Sequence, residues 1–321
     1  MEISDLTVRY YTDDAVVHAV NNFNLKLVRG EARGLVGETG AGKTTLALSI
    51  LRLLPERVGE VTGGSIVYDG QELLNLPEAE MLPLRGKRIS MIFQDPMTSL
   101  NPTQTVGDQI LEVLNLHFPE MTRDEKNKRV DEMMTLVGIP PQRKKSFPHE
   151  FSGGMKQRVV IAMALVAEPE LLLADEPTTA LDVTIQAQIL ELMKQLREKF
   201  NTSVMLITHD LGVVAQFCDS VSVVYAGRVV EYGPVEIVFQ RKENHPYTAG
   251  LFNCIPNLHD DQPRLHPIAG HMADPRVEYK GCCFADRCEY ATERCRTEAP
   301  SMHVCGEHGI LCHRYAEKEE F

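Results

Sequence analysis

The chain has 321 residues, with 33 Lys or Arg against 45 Asp or Glu, so its formal net charge is −12. This acidic balance argues against a general nucleic-acid binder, because neutralising phosphates requires clustered cations. The length permits one large domain or a domain with an appendage. The first residues lack the pattern of a signal peptide, and no apolar run approaches the ~18–20 residues that a bilayer-spanning helix needs. We therefore expect any membrane role to act through a partner.

The first part of the chain predicts strands and one helix. Residues 3–9 and 22–28 alternate apolar and polar side chains, which is typical of antiparallel strands. Residues 32–36 predict a buried strand that leads into the Gly-rich string GETGAGKT (37–44). A helix is expected to follow from Thr44 to Leu54, with the next residue, a proline, ending it.

The rest of the chain predicts alternating helices and strands. Helices are expected between about 96 and 165, where Thr122 and Glu125 form a capping-box pattern and Gly138 is a plausible helix stop. Another helix is expected to begin at Asp182. Short apolar strands are predicted at 88–93, 171–174, 203–208 and 220–225. This alternation predicts a mostly parallel α/β sheet, with an added antiparallel layer from the opening strands.

The string at 37–44 fits the pattern G-x-x-x-x-G-K-T in a strand–loop–helix context, which makes a chance Gly-rich turn a poor alternative. Its backbone N–H groups and the helix N-terminus can bind phosphate oxygens. Lys43 would place a cation on the β- and γ-phosphates, and the Thr44 hydroxyl could ligate Mg²⁺. The predicted ATP contacts of this segment are Gly37, Glu38, Thr39, Gly40, Ala41, Gly42, Lys43, Thr44 and Thr45.

Two adjacent acids, Asp175 and Glu176, follow the apolar strand at 171–174. A carboxylate at the end of a buried strand can hold Mg²⁺, and its neighbour can polarise an attacking water as a general base. The alternative is an ordinary acidic turn before a proline. That alternative is weak, because two acids after four apolar residues carry a desolvation cost.

Other polar and aromatic side chains give weaker signals. His209 follows the strand at 203–208 and could contact the γ-phosphate, although a lone histidine is more often structural. Gln94 is either an exposed amide in a turn or a sensor of Mg²⁺ and water. Tyr10 and Tyr11 are either surface aromatics, or one of them stacks on adenine.

A second Gly-rich string, FSGGMKQR (151–158), places Ser152 before Gly153 and Gly154 at a helix start. Such a helix N-terminus can bind an anion. One chain does not need two phosphate cradles for one nucleotide. We therefore expect two subunits joined head to tail, with each site built from one loop of each subunit.

Together these strings, with LLLADEP (171–177) and the triplet 180–182, resemble the nucleotide-binding subunits of ABC transporters. The resemblance implies a P-loop fold over residues 1–235, with a RecA-like parallel core, an antiparallel β layer and a helical subdomain at about 96–165. It implies a dimer that sandwiches two ATP molecules. The implied roles are catalysis by Glu176, His209 and Gln94, Mg²⁺ binding by Thr44, Gln94 and Asp175, adenine stacking by Tyr10, and contact with the ATP of the other subunit by Ser152, Gly153, Gly154 and Asp182.

Three further strings make the resemblance more specific. They resemble the oligopeptide/dipeptide branch of ABC importers: QDPMTSLNP (94–102), GRVVEYGP (227–234) and NHPYTAGLF (244–252). This resemblance implies ATP-driven import of di- or oligopeptides, or of nickel complexes or oligosaccharides, at the cytoplasmic face of the membrane. The implied partners are a second ATPase, more often a related chain than an identical copy, two membrane-spanning permease subunits and, indirectly, an extracytoplasmic solute-binding protein. No nucleic-acid partner is expected.

Some residues depart from the family pattern. Thr39 and Ala41 replace frequent serines, Phe151 replaces a usual leucine, and Cys283 and Cys305 are extra thiols. None of these removes a functional side chain, so we expect a competent hydrolytic site. Two rival classes stay open at this stage: a soluble ABC ATPase of a non-transport complex, and a redox iron–sulfur protein in which ATP gates electron flow.

After about residue 234 the periodicity weakens, which predicts a small second domain over 236–321. All eight cysteines lie after residue 217, and six lie within 282–312. Without a secretion signal, this cluster favours metal binding over disulfides. Four of its thiols suit zinc or an iron–sulfur cluster: Cys282, Cys288, Cys295 and Cys312. The C-x2-C pairs of zinc ribbons are absent, and the importer resemblance favours a [4Fe–4S] cluster over zinc. A mixed site with His303, His308 or His313, and thiols that are unliganded or disulfide-linked, stay open.

Overall fold

The structure is a computed structural model that describes residues 1–179, 181–240, 242–254 and 267–316. The strands are β1 (Glu2–Tyr11), β2 (Val16–Lys26), β3 (Ala32–Val36), β4 (Gly59–Tyr68), β5 (Gln71–Glu72), β6 (Ile89–Ile92), β7 (Leu171–Asp175), β8 (Ser203–Thr208), β9 (Ser220–Tyr225), β10 (Arg228–Pro234), β11 (Met302–Cys305) and β12 (His308–Leu311). The α-helices are α1 (Lys43–Ile50), α2 (Glu78–Met81), α3 (Pro96–Ser99), α4 (Val106–His117), α5 (Arg123–Leu136), α6 (Gly153–Leu165), α7 (Val183–Phe200), α8 (Leu211–Phe217), α9 (Val235–Phe239), α10 (Pro246–Asn253) and α11 (Glu293–Thr297).

The chain divides into two compact units. The first unit comprises residues 1–26, 33–74 and 208–321, and the second comprises 27–32 and 75–207. The residues after 235 therefore share a unit with the opening strands. A separate domain over 236–321 is not shown, and the boundary at residue 235 stays a prediction.

The first unit contains the predicted antiparallel layer. Its strands run in the order β2-β1-β4-β5, with Ile3, Leu6 and Val8 of β1 buried. The layer is larger than the sequence predicted, because β4 and β5 were not anticipated. β4 carries two adjacent glycines and exposed polar residues, so its apolar alternation is too weak to read from the sequence.

The first unit also contains a second group of paired strands. β3 runs parallel to β9, β9 pairs antiparallel with β10, and β12 joins β10 and β11 antiparallel. The cysteine-rich segment therefore adds strands next to β10, where the sequence predicted only loops. A buried network fixes this attachment: Glu231 accepts hydrogen bonds from Asn244 Nδ2 at 2.7 Å and the His245 N–H at 2.8 Å, and lies 2.8 Å from His308 Nε2.

The second unit carries parallel strands and most of the long helices. β7 is buried along its whole length and lies between β6 and β8, both parallel to it. The helices predicted between 96 and 165 are present as α3 to α6. The capping box is also confirmed, because Thr122 Oγ1 accepts from the Glu125 N–H and Glu125 Oε2 accepts from the Thr122 N–H. Asp182 caps α7 as predicted.

The predicted end of the first helix is wrong. α1 stops at Ile50 rather than Leu54, and Arg52 takes a left-handed φ of 53°. The Leu53 N–H returns to Leu48 O at 2.8 Å and the Arg52 N–H to Ser49 O at 3.1 Å, the paired bonds of a Schellman motif. Backbone closure ends this helix, and the later proline only follows it. Across the described ranges, no helix combines the length and hydropathy that crossing a bilayer would demand.

Candidate active site

The Gly-rich loop follows β3 in the first unit, and close backbone packing shapes it. Gly40 and Gly42 have φ of 84° and 95°, where side-chain-bearing residues are strained. A Cβ on Gly42 would lie 2.2 Å from Ala19 O, and one on Gly37 would lie 2.2 Å from Val224 O. The motif glycines are therefore required by the protein's own packing as well as by any approach of a phosphate.

Lys43 and Thr44 stand at the start of α1. The Lys43 side chain is mostly buried, and its Nζ donates to Gly37 O at 2.6 Å and Glu38 O at 2.9 Å. The ammonium group is thus held over the carbonyls of the loop, where it can exchange such a contact for a phosphate oxygen. Thr44 is exposed, so its hydroxyl is accessible to a metal ion.

Two residues of the C-terminal segment contact the loop at Glu38. Arg287 donates to both Glu38 carboxylate oxygens, and Tyr247 Oη accepts from the Glu38 N–H at 2.9 Å. Sequence reasoning missed both contacts because they join residues 249 and 209 positions apart. Tyr247 belongs to the string at 244–252, which the sequence analysis identified only through the importer resemblance.

The predicted adenine-stacking residue has a contact of its own. Tyr10 Oη donates to Thr45 Oγ1 at 3.2 Å, so two predicted nucleotide residues are joined in the first unit. Gly59 begins β4, and a Cβ on it would lie 2.9 Å from Tyr10 Cε1. One edge of the Tyr10 ring therefore packs against β4. Tyr11 is the more exposed of the two tyrosines, at 43%.

In the second unit, Asp175 and Glu176 lie at the end of β7. Asp175 is buried, whereas Glu176 is partly exposed with a left-handed φ of 48°. Glu176 Oε2 accepts from Thr179 Oγ1 at 2.8 Å and lies 3.5 Å from Gln94 Nε2. The structure thus brings Gln94 and Glu176 together. A strained backbone that holds a carboxylate outward is a feature that clusters at functional sites.

The residues of the second Gly-rich string have roles in their own chain. Ser152 caps α6, although its bond from the Met155 N–H is long at 3.4 Å. A Cβ on Gly154 would lie 2.6 Å from Ile185 Cγ2, whereas one on Gly153 would meet, among the described residues, only Leu181 Cδ2 at 3.9 Å. Gly154 is therefore needed for packing, while Gly153 and Ser152 are exposed. Asp182 accepts from the Ile185 N–H, and Ala180 lies outside the described residues.

His209 is exposed between β8 and α8 in the first unit. Asp210, the next residue, caps α8 and donates its own N–H to Thr208 Oγ1 at 3.0 Å. The backbone on both sides of His209 is thereby fixed, and its ring is accessible at the end of a buried strand.

The four predicted cluster ligands line one cavity, together with His245 and His313. Burial raises the pKa of Cys282 to about 12 and also raises the pKa of Cys288 and Cys312. None of the eight cysteines forms a disulfide. Within the described ranges, no group of three or more His, Cys, Asp or Glu side chains is arranged to hold a metal ion. Among the described residues that line the cavity, four are cysteines and none carries a carboxylate, a donor set of the type that iron–sulfur clusters use.

The remaining thiols and histidines of the tail face other partners. The buried Cys283 Sγ lies 3.9 Å from Tyr225 O, and Cys305 belongs to β11, outside the cavity. His308 is paired with Glu231, and His303 Nε2 lies 3.2 Å from Ser301 Oγ. Of the three histidines that left a mixed site open, the structure puts only His313 at the cavity.

Comparison with known proteins gives matches along the chain. Residues 20–179 match the ABC transporter family, and residues 230–295 match the oligopeptide/dipeptide transporter C-terminal region. The oligopeptide transport ATP-binding protein OppD of Haemophilus influenzae is 47% identical over 325 residues, covering 100% of this chain and 98% of the relative. This chain belongs to the ATP-binding subunits of oligopeptide-type ABC transporters. The Salmonella typhimurium OppD is 49% identical over 302 residues, covering 94% of this chain and 89% of that protein.

Solved structures agree with the fold. The ATP-binding cassette MJ0796, in a dimeric post-hydrolysis state bound to ADP and Pi, matches with a TM-score of 0.66 and 28% identity over 73% of this chain and 98% of that one. The structure of cbiO1 from Clostridium perfringens, part of the transporter complex cbiONQ, matches with a TM-score of 0.65 and 30% identity over 75% of this chain and 91% of that one. The expected P-loop ABC fold is confirmed, and the protein is an ABC-type ATPase.

Proposed function

We propose that this chain hydrolyses ATP to power the import of di- or oligopeptides across the cytoplasmic membrane, as a peripheral subunit on its cytoplasmic face. The observation that carries the proposal is the extent of the likeness. Relatives described as oligopeptide transport ATP-binding proteins are 47–49% identical over 94–100% of the chain. The matched stretch includes the cysteine tail as well as the nucleotide loop.

The nucleotide contacts follow from the loop. Residues 37–45 hold the triphosphate, with Lys43 as the cation on the β- and γ-phosphates, and Tyr10 stacks on adenine. Mg²⁺ is held by Thr44, Gln94 and Asp175. The mostly buried Lys43 ammonium group supports this assignment, because a desolvated cation acts more strongly on a phosphate than a hydrated one.

Glu176 acts as general base on the attacking water, Gln94 is the coupling sensor of Mg²⁺ and water, and His209 contacts the γ-phosphate. The Glu176 carboxylate is oriented by Thr179 Oγ1 at 2.8 Å, which supports the role of a positioned base. An ionised carboxylate can accept a proton from the water as the bond from the water oxygen to phosphorus forms.

Two such ATPases act together. Ser152, Gly153, Gly154 and Asp182 of one subunit contact the ATP held by the other, and the partner is a related chain. The dimeric, ADP- and Pi-bound state of the cassette MJ0796 supports this arrangement. Closure on ATP moves two permease subunits, which receive cargo from an extracytoplasmic solute-binding protein. ATP drives the cycle only if it binds the closed pair better than the open one.

The segment 236–321 is a cysteine-rich extension that holds a [4Fe–4S] cluster through Cys282, Cys288, Cys295 and Cys312. Such a cluster supplies folding energy to a segment with few apolar residues, as structural metals do. The four thiols that line one cavity support this assignment, because iron–sulfur clusters are held by cysteine thiolates.

The cluster is tested by chemical analysis of anaerobically purified protein. We expect about four irons per chain and a visible charge-transfer absorbance, both lost in C288S and kept in C254S, whose cysteine is exposed and outside the cavity. Stoichiometric zinc in place of iron, or no metal at all, would overturn the assignment.

The transport function is tested in vesicles that contain the chain with its co-purified partner subunits. We expect ATP-dependent peptide uptake and peptide-stimulated hydrolysis. E176Q should bind ATP but lose both activities, whereas E191Q, which changes an exposed glutamate of α7, should keep them. Uptake that does not depend on ATP, or full hydrolysis by E176Q, would contradict the proposal.

A further inference from the structure

The phosphate loop contains an acid, Glu38, at its second position. A carboxylate beside a bound triphosphate lowers the affinity for the nucleotide, because like charges repel more strongly where solvent is partly excluded. Glu38 is 26% exposed, so water screens its charge only in part. A protein that binds ATP at this loop therefore needs to offset this charge.

Arg287 offsets the charge with a fork of two hydrogen bonds. Its Nη1 lies 2.7 Å from Glu38 Oε2, and its Nη2 lies 3.1 Å from Glu38 Oε1. The Arg287 side chain is only 5% exposed. Hydrogen bonding to Glu38 raises the pKa of the guanidinium, so it stays charged at every physiological pH. A paired, desolvated guanidinium is the arrangement in which an ion pair has its largest effect.

Residues of the C-terminal segment and of β9 hold the guanidinium in place. Arg287 Nε donates to Ala269 O at 3.1 Å, and its guanidinium carbon lies 5.8 Å from the Tyr225 ring and 5.9 Å from the Phe284 ring. The fork therefore approaches Glu38 in one orientation. Such preorganisation reduces the entropy lost when the pair forms.

Tyr247 fixes the backbone at the same residue. Its hydroxyl oxygen accepts the Glu38 N–H at 2.9 Å, and its side chain is fully buried. The ring lies 4.7 Å from that of Tyr225 and 5.5 Å from that of Phe284. The loop is thus held at both the main chain and the side chain of Glu38 by residues that lie more than 200 positions later.

We propose that Arg287 and Tyr247 are positioning residues of the ATPase, by which the cysteine-rich segment neutralises and shapes the phosphate loop. This inference rests on the proposed binding of ATP to that loop. It assigns the C-terminal segment a direct part in nucleotide affinity. The competing view is that the pair only attaches the segment to the rest of the protein.

The two views differ in a charge-removal experiment on the whole chain. R287Q keeps much of the side-chain volume but leaves the Glu38 carboxylate without its counter-charge. We expect ATP to bind about tenfold more weakly, a change of about 1.4 kcal/mol, with KM raised by a similar factor and kcat at saturating ATP nearly unchanged. The double variant E38Q/R287Q, which has neither charge, should recover most of the affinity.

Ionic strength and a matched arginine give further readouts. The loss of ATP affinity in R287Q should shrink as the salt concentration rises, because added ions screen the partly exposed Glu38 carboxylate. R276A removes an exposed arginine paired with Asp274 in the same segment, and it should bind ATP like the parent. R287K keeps the charge without the fork and should lie between the parent and R287Q.

Each outcome separates the inference from the proposed function. If the parent chain does not bind ATP, the proposed function fails. If the parent binds ATP and R287Q binds it equally well, or if E38Q/R287Q loses as much affinity as R287Q, only the inference fails. Should R287Q not fold, R287K and the double variant carry the comparison, and equal ATP affinity in R287K and the parent at low salt would count against the fork.

Discussion

Two adjacent glycines of the second Gly-rich string should respond in opposite ways to the same substitution. In a helix, Gly→Ala normally stabilises by about 0.5–1 kcal/mol, because glycine loses more backbone freedom on folding. Gly153→Ala should show a gain at the low end of this range, since Gly153 is the first residue of α6 and, in the part of the chain that the structure describes, its new Cβ would meet only Leu181 Cδ2 at 3.9 Å. Gly154→Ala would place a Cβ 2.6 Å from Ile185 Cγ2, an overpacking that costs about 1–3 kcal/mol.

The two variants should therefore differ by about 2 kcal/mol in their free energy of unfolding. Urea denaturation of each variant measures this difference, and thermal melting should show a gap of several degrees, at roughly 2–4 °C per kcal/mol for a domain of 150–250 residues. The double variant G154A/I185A removes the offending Cγ2 and leaves the Ile185 Cβ position 3.8 Å away. The double variant should therefore be more stable, by about 1 kcal/mol or more, than the sum of the effects of G154A and I185A alone predicts.

This pair of variants also separates folding from function. G153A should fold as well as the parent yet weaken ATP-dependent pairing of the ATPases, if Gly153 contacts the nucleotide of the other subunit as proposed. Equal stability of G153A and G154A would refute the packing argument, because it would mean that Ile185 moves aside at no cost.

Other predictions concern capping, proton binding and the phosphate-loop lysine. Thr122→Ala should lower the free energy of unfolding by about 1 kcal/mol in urea titrations, and Thr135→Ala, on the same helix but away from the cap, should have a smaller effect. Burial lowers the pKa of His245 to about 3 from its usual 6.5. The unfolded chain therefore binds more protons below pH 6.5, and stability should fall from pH 6.5 towards 3, by about 2 kcal/mol at pH 5. In His245→Asn this His245 contribution should be absent; an unchanged pH profile would contradict the assignment. Lys43→Ala should weaken ATP binding in an equilibrium titration, and undiminished binding would contradict the role of Lys43.

The features that could be predicted from the sequence depend on near neighbours. The capping box at Thr122 and the N-cap at Asp182 each need residues within one helical turn, and the Gly-rich loop needs only the strand before it and the helix after it. The missed features depend on distant pairing. β12 is defined by its partner β10, and Arg287 reaches Glu38 from 249 positions away. No local pattern can specify such a pair.

The end of α1 is a second feature that the sequence pattern could not predict, although all the residues involved are near neighbours. The proline after Leu54 is a reasonable stop signal, but the helix ends four residues before Leu54, at Ile50, through bonds to Leu48 O and Ser49 O. Arginine rarely takes the left-handed conformation that this closure needs. Sequence patterns identify helix ends from glycine and proline, so they could not predict a helix end at which arginine takes the left-handed conformation.

The proposed clasp of two ATPases across shared nucleotides is tested most directly by nucleotide occlusion in E176Q. The variant is assembled with its partner ATPase and permease subunits, loaded with ATP or ADP, and freed of loose nucleotide. Closed pairs that retain ATP but not ADP, and that are lost when Ser152 is replaced by a bulky residue, are the predicted result. If saturating ATP neither brings the ATPases together nor becomes trapped, the account of this protein as a paired ATPase is contradicted.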